Sequence, residues 1–166
     1  MRLAVLVSGR GSNMLRLADH IMAGQDAGQN AGCKIVLVAA NKTCAGLDLA
    51  DQRGFATSLV ARSDFASRAA QEEVLAKQIE DAGADWICLA GYMAVLSASF
   101  VDRFAGRIIN IHPSLLPEYK GLDTHQRVLE AGDAVHGATV HLVTPELDDG
   151  PIILQASLKV DRSDDA

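Results

Sequence analysis

The sequence predicts an α/β fold in which a largely parallel sheet carries helices on both faces. Three observations point there. Short, continuously apolar runs recur along the chain, as expected for strands buried on both sides. Segments with apolar residues at helical spacing separate them, and strand–helix alternation is the mark of parallel crossover units. The chain has 166 residues, 49% of them hydrophobic, which suits one domain with its own core and is too apolar for disorder.

Leu3 to Val7 is the first buried strand, stopped by Ser8-Gly9. Ser12 and Asn13 open a helix whose apolar side is Met14, Leu15, Leu17, Ala18, Ile21 and Met22. The Gly-, Asn- and Gln-rich stretch from Gly24 to Gly32 reads as a loop. Lys34 to Ala40 is the second strand, ending at Asn41-Lys42. A helix around Leu47 to Gln52, a strand from Ala56 to Val60 and a long helix from about Asp64 to Ala82 follow. Gly83 sits where a helix C-cap belongs, and Asp85 to Ala90 is another buried strand. Then come a short helix from Ala98 to Phe104, a strand from Arg107 to Ile111 and, after a Pro-bounded loop, a helix from Thr124 to Ala131. His136 to Val143 and Ile152 to Val160 are the last two strands, joined by a Pro-, Asp- and Gly-rich turn. No repeat or low-complexity tract interrupts the series, so a single domain over residues 1–166 is expected.

Charge narrows the partners. Fifteen Lys and Arg against 21 Asp and Glu give a net charge of −6, and the basic residues do not cluster, which argues against nucleic acid. The longest apolar run is far short of the ~20 residues of a membrane helix. Cys33, Cys44 and Cys88 fit no CxxC spacing, so free thiols in a reducing compartment are expected. The apolar run at the N-terminus is too short for a signal peptide. The expected location is cytoplasmic.

Sheets of this class bind ligands outside the carboxyl ends of their strands. That rule selects Ser8–Asn13, Asn41, Gly91–Leu96, Asn110–Gly121 and Thr144–Gly150. The Ser8-Gly9-Arg10-Gly11-Ser12-Asn13 turn runs from strand to helix, where free N–H groups and the helix dipole favour an anion. Met14 stands where a dinucleotide fingerprint has its third glycine, and Asn41 where it has an acid. No Walker Gly-Lys-Ser/Thr is present either. A single phosphomonoester fits better; a tight turn with Ser12 or Asn13 as a plain N-cap fits too.

Asn110 and His112 are two apart at the end of a strand and so point to the same face. An amide donor beside an imidazole suits carbonyl chemistry, one holding an oxyanion and the other moving or polarising a proton. An aspartate from Leu147-Asp148-Asp149-Gly150-Pro151 could hydrogen-bond the imidazole. Each segment alone also has a purely structural explanation. His20, His125, His136 and His141 show no ligand spacing, so no metal is expected. His20 belongs on the exposed side of the first helix, and His136 and His141 read as strand residues satisfied by neighbours. His125, opening a helix near the Asn110/His112 loop, is the most suggestive of the four.

Taken together, these segments resemble the phosphoribosylglycinamide formyltransferases of purine synthesis over nearly the whole chain. The matching pieces are Val7–Asn13, Asn41-Lys42, Leu89–Met93, Gly106–Pro117, Gly121–His125, His136–His141 and Glu146–Ile153. The Asn110-x-His112-Pro-Ser-x-Leu-Pro run is common to folate-dependent formyltransferases, and the opening Ser-Gly-x-Gly-Ser-Asn narrows the group. The resemblance implies a Rossmann-like, mostly parallel sheet with C-terminal antiparallel strands, the formyltransferase fold. It implies transfer of a formyl group from 10-formyltetrahydrofolate, a co-substrate, to the amine of glycinamide ribonucleotide, with no metal. Asn110, His112 and Asp148 would be catalytic. Gly11, Ser12 and Asn13 would hold the substrate phosphate. Arg68, Met93, Ala94, Val95, Leu96, Asn110, Thr144, Pro145, Glu146, Leu147 and Asp148 would line the folate pocket.

Two departures stand out. Ala94 occupies a place that is often basic in the family, so a charge contact there is lost. The family continues past the position of Ala166 into C-terminal helical structure, which this chain is expected to lack. Two other functions remain open: a formyltetrahydrofolate hydrolase, with water as acceptor, and a non-enzymatic nucleotide-phosphate-binding module resting on Gly9–Asn13 alone. The hydrolase usually carries an N-terminal regulatory domain, and a first strand expected from Leu3 counts against it, as the Asn110, His112 and Asp148 trio counts against the binding module.

Overall fold

A computed structural model describes residues 1–26, 32–161 and 163–165. Its strands are β1 (Arg2–Val7), β2 (Lys34–Ala40), β3 (Thr57–Leu59), β4 (Trp86–Leu89), β5 (Ile108–His112), β6 (Val135–Leu142) and β7 (Ile152–Lys159). The helices are α1 (Ser12–Asp26), α2 (Ala45–Gln52), α3 (Arg68–Asp81), α4 (Ala98–Arg103) and α5 (Thr124–Ala131). One sheet holds all seven strands in the order β3-β2-β1-β4-β5-β6-β7. The first five run parallel, while β6 is antiparallel to β5 and β7 to β6.

Alternation along β1 shows how the sheet is buried. Leu3, Val5 and Val7 face one layer with Met14 and Ile21 of α1 and Ala50 of α2. Ala4 and Leu6 face the other, with Leu75 and Ile79 of α3, Phe100 of α4 and Phe104 just after it. Strands buried on both faces must be apolar throughout, which is why these runs are continuous rather than alternating. Among the described residues no helix is long and apolar enough to cross a membrane.

Most boundaries fall within two residues of expectation, and two differ by more. The first helix does not stop before Gly24 but continues to Asp26. Gly24 is buried, and Gln25 donates from its amide to the Cys33 carbonyl. Packing and this tether outweigh the ~1 kcal/mol helix cost of a glycine. Residues 27–31 of the expected loop lie outside the described residues. The long helix begins not at Asp64 but at Arg68, after a 3-10 turn over Arg62–Asp64 and an extended Phe65. Ser67 caps it, its hydroxyl accepting from the Ala70 N–H at 3.1 Å. Gly83, at φ +61°, lies one residue beyond the helix cap Ala82. β5 runs through His112, so that ring stands on the sheet itself.

Candidate functional site

The order of strands reverses at β1, whose neighbours β2 and β4 lead away in opposite directions. In sheets of this topology ligands bind at that switch point, here outside the carboxyl ends of β1 and β4. The turn after β1 contributes the first wall. Gly11 has φ +77°, and a Cβ on it would lie 2.5 Å from the Gly46 Cα, so only glycine allows the turn to rest on α2. The Gly46 N–H donates to the Gly9 carbonyl at 2.9 Å. The Gly11 carbonyl accepts from the Leu15 N–H, the first bond of α1. Among the described residues the N–H groups of Gly11, Ser12 and Asn13 have no protein partner, and Ser12 and Asn13 are exposed. Free amides at a positive helix end form an anion site.

Directly beneath this turn, Ser8 is 2% exposed and joins three strand ends. Its N–H donates to the Gly91 carbonyl, its hydroxyl donates to Asn41 Oδ1 at 2.6 Å, and the same oxygen accepts from the Met93 N–H at 2.8 Å. Beyond Met93 the loop exposes Met93, Ala94 and Val95, whereas Leu96 is buried in the core. The Leu96 side chain thus packs in the core and not on the exposed side of the loop. Tyr92 packs against that core beside Glu72 and Arg68. Burial, and then the Glu72 charge, push its phenol up to about 12, so it stays protonated.

The second wall comes from β5, β6 and the turn after β6. Asn110 pairs with His141 across the antiparallel register, and Asn110 Nδ2 lies 3.2 Å from His141 Nε2. His141 Nδ1 faces its neighbour's Leu142 carbonyl at 2.9 Å, which accepts only. The hydrogen therefore sits on Nδ1, and Nε2 accepts from the Asn110 amide. His112 Nε2 donates to the Tyr119 carbonyl at 2.9 Å, and its Nδ1 is 3.4 Å from Asp148 Oδ2. Asp148 Oδ1 lies 3.7 Å from His141 Nε2. The Gly121 N–H holds the carboxylate, donating to Oδ2 at 2.9 Å. The structure thus gathers Asn110, His112 and Asp148 at the carboxyl end of β5, with the His112 and Asp148 side chains buried and Asn110 partly so. Asp148, Tyr119 and Asp123 all have positive φ, at 49°, 54° and 57°. Three left-handed non-glycine residues in adjoining loops mark a region whose backbone is held for position rather than comfort.

His141 is the residue that sequence reasoning passed over. It is a strand histidine satisfied by its neighbours, as read, but the neighbour is Asn110, and the Asp148 carboxylate stands 3.7 Å from the same ring nitrogen. The clue was available only through pairing, because nothing along the chain states that β6 lies antiparallel to β5 with position 141 opposite 110. His125, which seemed the most suggestive, turns away from this cluster. Its Nδ1 lies 2.8 Å from His136 Nε2, and the two rings meet edge to face beside a small cavity lined by Val128, Leu129 and Val160. Burial and the neighbouring His125 hold the His136 ring below the usual histidine range, against an opposing pull from Asp133. His20 is exposed on α1. Cys88 lies in the core with its thiol pushed up to about 11 by burial, so it is a packing residue.

Arg68 stands at the start of α3, half exposed, and is tied by its Nε to Glu72 Oε1 at 3.0 Å. Thr144, Pro145, Glu146 and Leu147 form the loop between β6 and β7 that leads into Asp148, and Leu147 is exposed. Among the described residues no group of three or more His, Cys, Asp and Glu is placed to hold a metal.

The family model for formyl transferases matches residues 1–166. A phosphoribosylglycinamide formyltransferase of Escherichia coli is 45% identical over 165 residues, covering 99% of this chain and 76% of that protein. The trifunctional purine biosynthetic protein adenosine-3 of Drosophila melanogaster is also 45% identical over 99% of this chain, which spans only 12% of that longer protein. Among solved structures, the phosphoribosylglycinamide formyltransferase of Coxiella burnetii superposes with a TM-score of 0.91 at 40% identity, covering 99% of this chain and 75% of that one. That of Brucella melitensis gives 0.87 at 44% identity, with 99% and 82% covered.

Proposed function

The chain belongs to the formyl transferase family, and from that premise we propose that its crevice moves a formyl group from 10-formyltetrahydrofolate to the amine of glycinamide ribonucleotide. The reaction is that of a phosphoribosylglycinamide formyltransferase, a step of purine biosynthesis. The observation that carries the site assignment is the buried Asp148 carboxylate set between His112 and His141, with Asn110 tied to His141.

The ribonucleotide's phosphate would sit on the N–H groups of Gly11, Ser12 and Asn13, which among the described residues have no protein partner to give up. Its amine nitrogen attacks the formyl carbon, forming a C–N bond and placing negative charge on the formyl oxygen. Asn110 Nδ2 has a second hydrogen beyond the one it gives His141, and that hydrogen can meet the oxyanion. His112 reaches the same oxygen if its Nε2–H leaves the Tyr119 carbonyl, and the Asp148 carboxylate then supplies the counter-charge beside Nδ1. The intermediate collapses by breaking the bond between the formyl carbon and N10 of the folate. The proton lost by the amine passes through water near Asp148 to N10. Arg68, the exposed Met93–Val95 tip, Thr144 to Leu147 and the main chain at Leu96 would frame the folate. Ala94 brings no charge to that frame.

The test is release of tetrahydrofolate from 10-formyltetrahydrofolate with and without glycinamide ribonucleotide. Dependence on the ribonucleotide is expected, because a transferase supplies its nucleophile by proximity and excludes bulk water. Equal rates in both conditions would instead make the protein a hydrolase.

A further inference from the structure

We propose that Glu72 is a positioning residue for the formyl donor, fixing both the far end of the Gly91–Ser97 loop and the direction of Arg68. The proposal rests on the reading above that this loop and Arg68 belong to the donor pocket. Glu72 projects from α3 and is 8% exposed. Its Oε1 accepts from Arg68 Nε at 3.0 Å and from the Ser97 N–H at 2.9 Å. Its Oε2 accepts from the Ser97 hydroxyl. One carboxylate therefore joins the start of α3 to the end of the loop.

The other end of the loop is fixed by Ser8, through the Gly91 carbonyl and the Met93 N–H. Between these anchors Met93 and Val95 are 66% and 61% exposed. Apolar side chains held in water on a segment pinned at both ends are preorganised to receive an apolar ring system, since little ordering is left to do on binding. Arg68 completes the arrangement. Only its Nε is bonded among the described residues, which leaves both terminal nitrogens to a ligand while Glu72 fixes the plane of the guanidinium.

Helix capping alone does not account for Glu72. Ser97 already caps α4, its hydroxyl accepting from the Phe100 N–H at 3.2 Å. A buried carboxylate added to that cap carries a desolvation cost that a helix of six residues does not require. The extra contacts it makes are the ones that aim Arg68 and stop the loop from shifting.

The experiment compares the wild-type chain with Glu72→Ala and Glu72→Gln. It measures tetrahydrofolate binding by calorimetry and KM and kcat for both substrates. Glu72→Ala is expected to raise the tetrahydrofolate Kd and the donor KM on the order of tenfold, as loss of a charge-assisted hydrogen bond does. Glu72→Gln keeps one acceptor oxygen for the Ser97 N–H, and its amide nitrogen can donate to the Ser97 hydroxyl, but it loses the charge facing Arg68, so a several-fold rise is expected while the chain stays folded. In both variants kcat and the ribonucleotide KM should stay within about twofold of wild type, the signature of lost donor binding rather than lost chemistry. Wild-type donor binding by folded Glu72→Gln overturns the proposal, and that variant decides the matter even if Glu72→Ala fails to fold. A wild-type chain that binds no tetrahydrofolate overturns the donor-pocket reading itself, and with it the proposal.

Discussion

Asn110 on β5 and His141 on β6 stand directly opposite each other, and the amide nitrogen of one lies 3.2 Å from the imidazole Nε2 of the other. This contact decides which way the Asn110 amide faces. With its Nδ2 toward His141, the second N–H of that amide is left for a ligand oxygen. In the proposed mechanism His141 thereby orients Asn110 without touching substrate.

Replacing His141 by Leu puts an apolar residue of similar bulk in a position that is 2% exposed, and frees the Asn110 amide to turn. A fall in kcat of about 10–100-fold is expected, since small misplacements of an oriented group cost that much. Steady-state kinetics on the folded variant check it. A kcat equal to wild type would show that Asn110 needs no partner.

Asp148→Asn should fold, because Asn tolerates φ +49° as Asp does and its carbonyl oxygen can still accept from the Gly121 N–H. It removes the counter-charge beside His112 and should lower kcat on the order of 100-fold or more. Single-turnover measurement with both substrates saturating isolates this step. Turnover near wild type would take Asp148 out of the mechanism.

Gly11→Ala and Gly46→Ala meet the same obstacle from opposite sides. A Cβ on Gly11 would lie 2.5 Å from the Gly46 Cα, and a Cβ on Gly46 would lie 2.9 Å from the Gly11 Cα. Only Gly11 carries the added left-handed penalty of about 1–2 kcal/mol. Urea unfolding should rank Gly11→Ala below Gly46→Ala, and glycinamide ribonucleotide should bind both more weakly than wild type. Unchanged ribonucleotide affinity in folded Gly11→Ala would place the phosphate elsewhere.

Stability should fall as pH drops below about 6.5, the usual histidine value. In the folded chain the His136 ring is held below that value by burial and by His125, so there the unfolded chain binds more protons than the folded one. The contribution is whole above the unfolded value and shrinks as pH falls toward the lower, folded one. Asp133 opposes the shift directly, and Asp164 and Asp165 line the adjoining cavity. Urea midpoints at pH 8 and pH 5.5 should separate more for wild type than for His136→Phe. Equal separations would assign the acid sensitivity to other groups.

Local information made much of this protein legible. Continuous apolar runs announce strands buried on both faces, which is why β2 falls on Lys34–Ala40 as read; α5 also falls on Thr124–Ala131 as read. Asn110 and His112 share a face because side chains alternate along any strand, and the glycine turn of Gly9–Asn13 opens α1 because only glycine accepts its backbone. Tertiary structure decided the rest. Gly24 continues a helix because packing buries it, and the start of α3 waits for the Ser67 cap although Phe65, just before it, packs on the same core. His141 joins Asn110, and His125 pairs with His136, through contacts between residues far apart in sequence. Spacing along one strand is a property of the strand, whereas the partner opposite a residue is set by the register of two strands and exists only once the sheet has formed.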